Sequence, residues 1–390
     1  TANDLVTLQG DVFGAKEDQG VGAWEDVSGR DVVLRWNRDM GPDRHLQVQA
    51  YYDHAHRATQ PHQGHFFVDT YDLDLQDSLP LGSGNQLVWG GGARLSHYRI
   101  DGVPSFFFGP AGRNLFLANG FVQDTFDLSH AVSLTGGLKA EHDPYVGTSL
   151  LPDVRISVKP VESTMLWGSV SRAVRSATPF DEDVHESATG VTLSGNRNFR
   201  TEKLTAYELG VRSQPLSGLS FSLTGFYHHY NDLRTAEIAP GPGLNLFWGN
   251  QLVGHTYGVE AWSHVSPLPW WTLSAGATLQ KDDFHFKPGA TAAVLGTFQN
   301  GIDPGHWITL DSSMNLGRSV TFDLHFRAVG RLVEADVPAY AELGGRLAWS
   351  ISDHLQLAVS GSNLLHADHV EYFGGDAIPR KVLVGLQWRP

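Results

Sequence analysis

The chain has 390 residues, with 42 acidic against 28 basic side chains (formal charge −14), 43 glycines and no cysteine. It lacks the basic balance on which affinity for a phosphate backbone rests, so nucleic acid is not an expected partner, and without cysteine there are no disulfides or thiolate metal ligands, which leaves the compartment open. No apolar run approaches the roughly 18 residues of a spanning helix, so a membrane protein of this sequence must cross with strands of about 9 to 11 residues each.

In chain order, 18 alternating segments begin near Leu5, Asp31, His45, Phe66, Gln86, Leu115, Val132, Pro152, Thr164, Leu204, Leu219, Thr256, Trp271, Trp307, Thr321, Tyr340, Leu355 and Lys381. Every second junction is a tight turn with Gly, Pro, Asp or Ser, the chemistry that short hairpins need: Gly41-Pro42-Asp43, Leu81-Gly82-Ser83-Gly84, Leu128-Ser129-His130, Pro160-Val161-Glu162, Pro215 to Gly218, Pro267-Leu268-Pro269, Gly317-Arg318-Ser319 and Ser352-Asp353-His354. Between them the sequence predicts long connections over 15–30, 54–65, 98–114, 142–149, 172–205, 230–254, 281–306, 331–338 and 366–379. Short turns at one end and long loops at the other are the asymmetry of a bacterial outer-membrane barrel. The predicted fold is an all-β, antiparallel, up-and-down transmembrane β-barrel, read as one domain over residues 1–390, since no Pro/Ser-rich linker divides the chain.

Period-two alternation assigns opposite faces. Leu46, Val48, Leu134 and Leu138 are predicted to face lipid, and Gln47, Gln49, Lys139 and Glu141 the lumen. Trp36, Trp89, Phe121, Trp167, Trp262, Trp270, Trp271, Trp307, Trp349 and Trp388 lie near strand ends, where interfacial girdles require aromatics. A soluble sandwich with an aromatic core is the alternative, and the loop rhythm argues against it.

Several short stretches carry a family resemblance. Leu166-Trp167-Gly168-Ser169-Val170-Ser171-Arg172-Ala173-Val174-Arg175, then Gly195 to Arg212 (GNRNFRTEKLTAYELGVR), resemble the mid-barrel signature of TonB-dependent outer-membrane receptors. Phe121-Val122-Gln123-Asp124, Thr256-Tyr257-Gly258-Val259-Glu260, Gly361-Ser362-Asn363-Leu364-Leu365 and Gly385-Leu386-Gln387-Trp388-Arg389 follow the family's order. Each is short; their succession over residues 116–389 is specific. The resemblance implies a transporter in the bacterial outer membrane, not an enzyme, with no cofactor. It would take up an iron-siderophore or similar scarce nutrient, be driven by TonB, sit as a monomer among outer-membrane lipid and lipopolysaccharide, and have a barrel of about 22 strands. On that count the plug and about four N-terminal strands lie outside these residues; alternatively 5–15 pairs with 381–389 and closes a smaller barrel. Two departures stand out: nothing here corresponds to the plug and its TonB-contacting segment, and the final Pro390 stands where the family usually has an aromatic residue. A passive diffusion porin is the rival reading, because its barrel gives the same alternation. Catalysis finds no support, as no Gly-x-Ser-x-Gly, His-Glu-x-x-His or phosphate loop occurs.

Candidate ligand residues come from the predicted outer loops. Phe106, Phe107 and Phe108 form an apolar run suited to clamping an aromatic or acyl group of a ligand, and equally to folding onto the barrel rim or dipping into the lipopolysaccharide layer. Arg172 and Arg175 could draw an anionic chelate through bidentate hydrogen bonds, or pair locally with Asp181, Glu182 or Asp183. His185 lies where haem-transporting relatives place a ligand histidine, and Trp248 belongs to the 230–254 connection. His54, His56, His62 and His65 crowd one predicted loop and are the weak candidates for metal.

Overall fold

The computed structural model describes residues 3–20, 22–60, 64–82, 84–297 and 302–389. Eighteen long strands succeed one another, as the alternation predicts. They are β1 Asp4–Gly20, β2 Ala23–Asp39, β3 His45–Gln60, β4 His65–Pro80, β5 Asn85–Asp101 and β6 Gly112–Ser129. Next come β7 Val132–Asp143, β8 Gly147–Val161, β9 Thr164–Arg175, β10 Glu202–Leu216, β11 Leu219–Ala239 and β12 Leu244–Leu268. The last six are β13 Trp271–Phe286, β14 His306–Leu316, β15 Val320–Val329, β16 Tyr340–Ser350, β17 Leu355–Ser362 and β18 Lys381–Trp388. Each pairs antiparallel with the next in one continuous sheet. Among the described residues β1 pairs only with β2, and β18 only with β17; no pairing joins 5–15 to 381–389.

Register fixes the two faces, because residues directly opposite on neighbouring strands share one. Gln49 faces Asp74, Asp74 faces Gly92, Gly92 faces Asn119 and Asn119 faces Glu141. One residue over, Val48 faces Leu75, while Leu138 and Leu134 face Val122 and Phe126. The polar set lines one face and the apolar set the other, as the alternation predicts, and the large exposed apolar side chains belong to the second. Four aromatics of the predicted girdle depart from it: Trp262, whose row runs through Ser222 to Arg212, Trp307, whose row runs through Thr278, Glu260 and Thr224 to Gly210, and Phe121 and Trp167. Phe121 lies opposite Gly90 and Lys139 on the polar face, and Trp167 packs over Gly210 there; a Cβ on Gly210 would sit 2.6 Å from the indole. Arg212 stacks on the same ring at 5.7 Å, so this tryptophan is held by lumen-side packing, not by an interface.

The predicted loops shrink most where strands run on past the bilayer. The 15–30 and 230–254 connections are hairpins with tips near 20–23 and 240–243. At about 3.3 Å per residue, the 25-residue β12 extends roughly 80 Å, far more than the bilayer needs, and its backbone groups stay paired by continuing the ladder. Likewise His54 and His56 lie within β3 and His65 opens β4, so the predicted histidine loop is wall. His62 lies outside the described residues. The long connections that remain are 102–111, 176–201, 287–305, 330–339 and 363–380.

Candidate functional site at the outer loops

The 102–111 and 176–201 connections fold together as a small sheet. Phe106–Phe108 forms a short strand that pairs with Val184–Ala188, setting Phe107 opposite His185 and Phe108 opposite Val184. Val184–Ala188 turns back on Val191–Ser194, which lies parallel to the start of β12. Phe106 and Phe108 share one side of the strand, their rings 5.5 Å apart; Phe106 at the strand's start and Phe107 on the other side are exposed (37% and 43%), and Phe108 is buried (8%). Phe107 stacks on His185 at 4.9 Å. Of the three phenylalanines, two are therefore available to a ligand, and Phe108 is buried opposite the fully buried Val184.

Beneath this sheet a short helix, α1 Pro179–Glu182, carries carboxylates into the interior. Gly195 crosses it so closely that a Cβ would lie 2.3 Å from the Glu182 backbone. Asp181 is fully buried and accepts hydrogen bonds from Arg175 (2.9 Å), Arg234 (3.0 Å) and the Thr178 hydroxyl (2.9 Å). Arg175 is also bidentate to Glu202, at 2.7 and 3.0 Å. Burial alone would raise the Asp181 carboxyl, but the hydrogen bonds from Arg175, Arg234 and Thr178 outweigh it and hold the group below its ordinary value. Asp183, equally enclosed, takes both donors of Arg113, at 2.6 and 2.7 Å. Glu182 lacks such a partner: one carboxyl oxygen is buried without a hydrogen bond, and burial, followed by the charge of Asp183, pushes it up to about 7. A third centre is Asp232, ringed by Arg200 (2.9 Å), Lys203 (3.2 Å) and Lys287.

Of the predicted residues, Arg175 belongs to this network and makes the local pairing with Asp181. Trp248 lies under Arg234, 4.5 Å from its ring centre, beside Phe180 at 5.6 Å. Arg172 does not join them. It lies opposite Thr205, which faces His229, on the face that carries Tyr207 and Tyr227, so it points away from the lumen. The odd and even positions of β9 face opposite ways, and Arg172 and Arg175 fall on different sides. Among the described residues His54, His56 and His65 form no cluster of metal-ligand atoms: His54 pairs with Asp69 at 2.9 Å and His65 with Asp101 at 3.0 Å, both on the apolar-side face of the wall. The sequence reading missed Asp183 with Arg113, Arg234 and the Asp232 cluster, since these contacts join residues up to 70 apart with no local signal. It also missed Glu342, His369 and Glu371, whose ligand atoms lie within 4.8 Å of one another. Arg327 already supplies positive charge there, donating to both Glu342 and Glu371.

The model of the TonB-dependent receptor-like β-barrel matches residues 3–364. The chain belongs to that family. This receptor barrel therefore lies in the bacterial outer membrane and serves nutrient uptake rather than catalysis. No curated protein matches the sequence. Among solved structures, the siderophore receptor PirA from Pseudomonas aeruginosa shares 17% identity at a TM-score of 0.78, covering 100% of this chain and 68% of its own. PirA from Acinetobacter baumannii shares 14% at 0.76, covering 93% of this chain and 62% of its own. The FrpB iron transporter from Neisseria meningitidis shares 13% at 0.77, over 99% and 69%. This barrel thus spans about two thirds of the length of the chains it resembles.

Proposed function

We propose that the intact receptor captures an iron-siderophore, or a similarly scarce chelated nutrient, on its outer loops and takes it up with work supplied through TonB, residues 1–390 forming the barrel domain around a separate occluding plug. The observation that carries this reading is the loop layer itself. A passive pore gains nothing from an outer surface tied down by buried ion pairs, whereas capture of a dilute solute is favoured by a preorganised one. The exposed Phe106 and Phe107, with the half-buried His185 stacked on Phe107, supply an aromatic surface for the ligand, and Arg197, exposed and without an ion-pair partner among the described residues, supplies charge. Arg175 and Trp248 support these from below. The names of the structural neighbours, two siderophore receptors and an iron transporter, agree with that ligand class.

The test is accumulation of radioactive ferric siderophore by iron-starved cells carrying the full-length protein, with and without TonB. Uptake that requires both is expected. Uptake indifferent to TonB, or steady flux of an uncharged sugar through the reconstituted protein, would reject this reading in favour of a diffusion channel.

A further inference from the structure

One group of ligand-bearing side chains lies outside the layer built on Asp181, Asp183 and Asp232. Arg327 of β15 and Glu342 of β16 face each other across the ladder near its outer end, in the lumen-side row that runs back through Thr309 and Gly276 to Trp262. The 363–380 connection reaches over them. Its Asp368–His369 pairs with Ile378–Pro379, and the Asn363 amide donates to the Ile378 carbonyl at 2.9 Å, so the connection is a built hairpin that presents His369 and Glu371, alternate residues, to the wall. The ligand atoms of Glu342, His369 and Glu371 lie within 4.8 Å of one another, and among the described residues no other three His, Asp or Glu side chains converge so closely.

Three observations point to a small cation. Arginine ordinarily meets a carboxylate with its fork, as Arg175 does at Glu202 and Arg113 at Asp183. Arg327 instead sets one nitrogen, Nη2, between two carboxylates, 2.9 Å from Glu342 Oε2 and against Glu371 Oε1, which is itself 2.9 Å from His369 Nε2. That nitrogen stands where a point charge would. Next, one guanidinium against two carboxylates leaves a negative charge. Burial alone would raise the Glu371 carboxyl, but the bonds from His369 and Arg327 outweigh it and hold the group below its ordinary value. Last, the His369 side chain is 6% exposed, and its Nδ1 is buried with no hydrogen-bond partner among the described residues, so the protein's own groups leave this imidazole under-used. Tyr340 stacks on the ring at 4.3 Å and fixes its plane.

We infer that Glu342, His369 and Glu371 bind a divalent transition-metal ion, and that Arg327 holds the two carboxylates together until the ion displaces it. An imidazole and two carboxylates, without thiolate, suit Zn²⁺ and its first-row neighbours, whereas Ca²⁺ and Mg²⁺ take oxygen ligands. Ligand atoms around a tetrahedral ion at about 2.1 Å stand about 3.4 Å apart, so the trio must close by about 1 Å as Nη2 withdraws. Tyr340, 5.2 Å from the guanidinium, gives Arg327 an aromatic face to rest on. The ion then bridges β16 and the 363–380 connection and ties an outer loop to the wall. This site does not depend on which nutrient the receptor carries.

The test titrates the full-length receptor in detergent with chelator-buffered Zn²⁺, reading binding by calorimetry and loop order by hydrogen exchange. Zinc is expected to bind and to slow exchange over 363–380. His369→Gln or Glu371→Gln should weaken that binding at least about tenfold and abolish the slowing, whereas His54→Gln/His65→Gln, on the other face of the wall, should leave the slowing intact. Arg327→Gln should tighten binding by about tenfold, because the ion no longer competes with a resident charge; a merely structural ion pair gives no such gain. Glu342→Gln stands in if a loop variant does not reach the heat-modifiable folded form. Absence of zinc binding, binding and slowing unaltered in the His369 and Glu371 variants, equal affinity for Ca²⁺, or an Arg327→Gln variant that binds no more tightly would each overturn the proposal.

Discussion

Between β9 and β13 the wall repeats one unit: a strand whose odd and even residues face different solvents, bonded to its neighbours along its length. The 176–201 connection repeats nothing. Its shape rests on three buried carboxylate centres, each reached by a basic side chain from a distant part of the chain. In lipid every unpaired backbone group costs several kcal/mol, so the wall is held by many equivalent bonds and by the polarity of each face. The loop layer is held by a few irreplaceable contacts. Redundancy on one side and singularity on the other predict different responses to substitution.

The largest effect is expected where a wall face receives the wrong polarity. Leu209→Arg, on the lipid side of β10, should cost about 2–4 kcal/mol in refolding equilibria into bilayers; a change within experimental error would mean that this face is not in hydrocarbon. Next is Asp181→Ala, which leaves Arg175 and Arg234 without their shared acceptor. Breaking a fully buried pair costs about 3–5 kcal/mol, and the partial exposure of both arginines lowers this to about 2. Hydrogen exchange should accelerate over 179–201 and not over β9 or β10; acceleration spread evenly through the wall would erase the distinction between the two regions.

A smaller effect concerns pH. The Glu182 carboxyl is raised in the folded layer from an ordinary 4.5 to about 7, so the penalty for its charge is absent below about 4.5, grows as pH rises between those values and is complete above 7. Protection of the amides of 179–201 should therefore increase as pH falls from 8 to 5. Glu182→Gln should flatten that dependence, and an unchanged slope in the variant would assign it to another group. The smallest effect is expected at the inner turns: one glycine inserted at 217–218 should change stability by less than about 0.5 kcal/mol and leave ligand affinity unchanged.

The wall was legible because its signal is local. Alternation over a few residues assigns Leu134 and Lys139 to opposite faces, and turn chemistry marks each inner junction, so all 18 strands emerge in order. The outer boundaries were not legible, because a strand that continues beyond the bilayer loses the lipid that imposes alternation; the outer parts of β11 and β12, over 230–254, read as loop for that reason. The site was legible only in part. A triplet of phenylalanines and a pair of arginines mark themselves in sequence, but parity within β9 sends Arg172 outward and Arg175 inward. Arg113 could not be linked to Asp183 by any rule of spacing.

The parallel pairing of Val191–Ser194 with the start of β12 has a kinetic consequence. A loop that folds onto its ligand surrenders about 1–2 kcal/mol of backbone entropy for each residue it fixes at that moment. Here the 176–201 connection is already bonded to the receptor's tallest strand, and its freedom is lost while the barrel assembles. An arriving solute meets a finished surface: encounter is limited by diffusion and orientation, and discrimination between nutrients falls to how long each one stays.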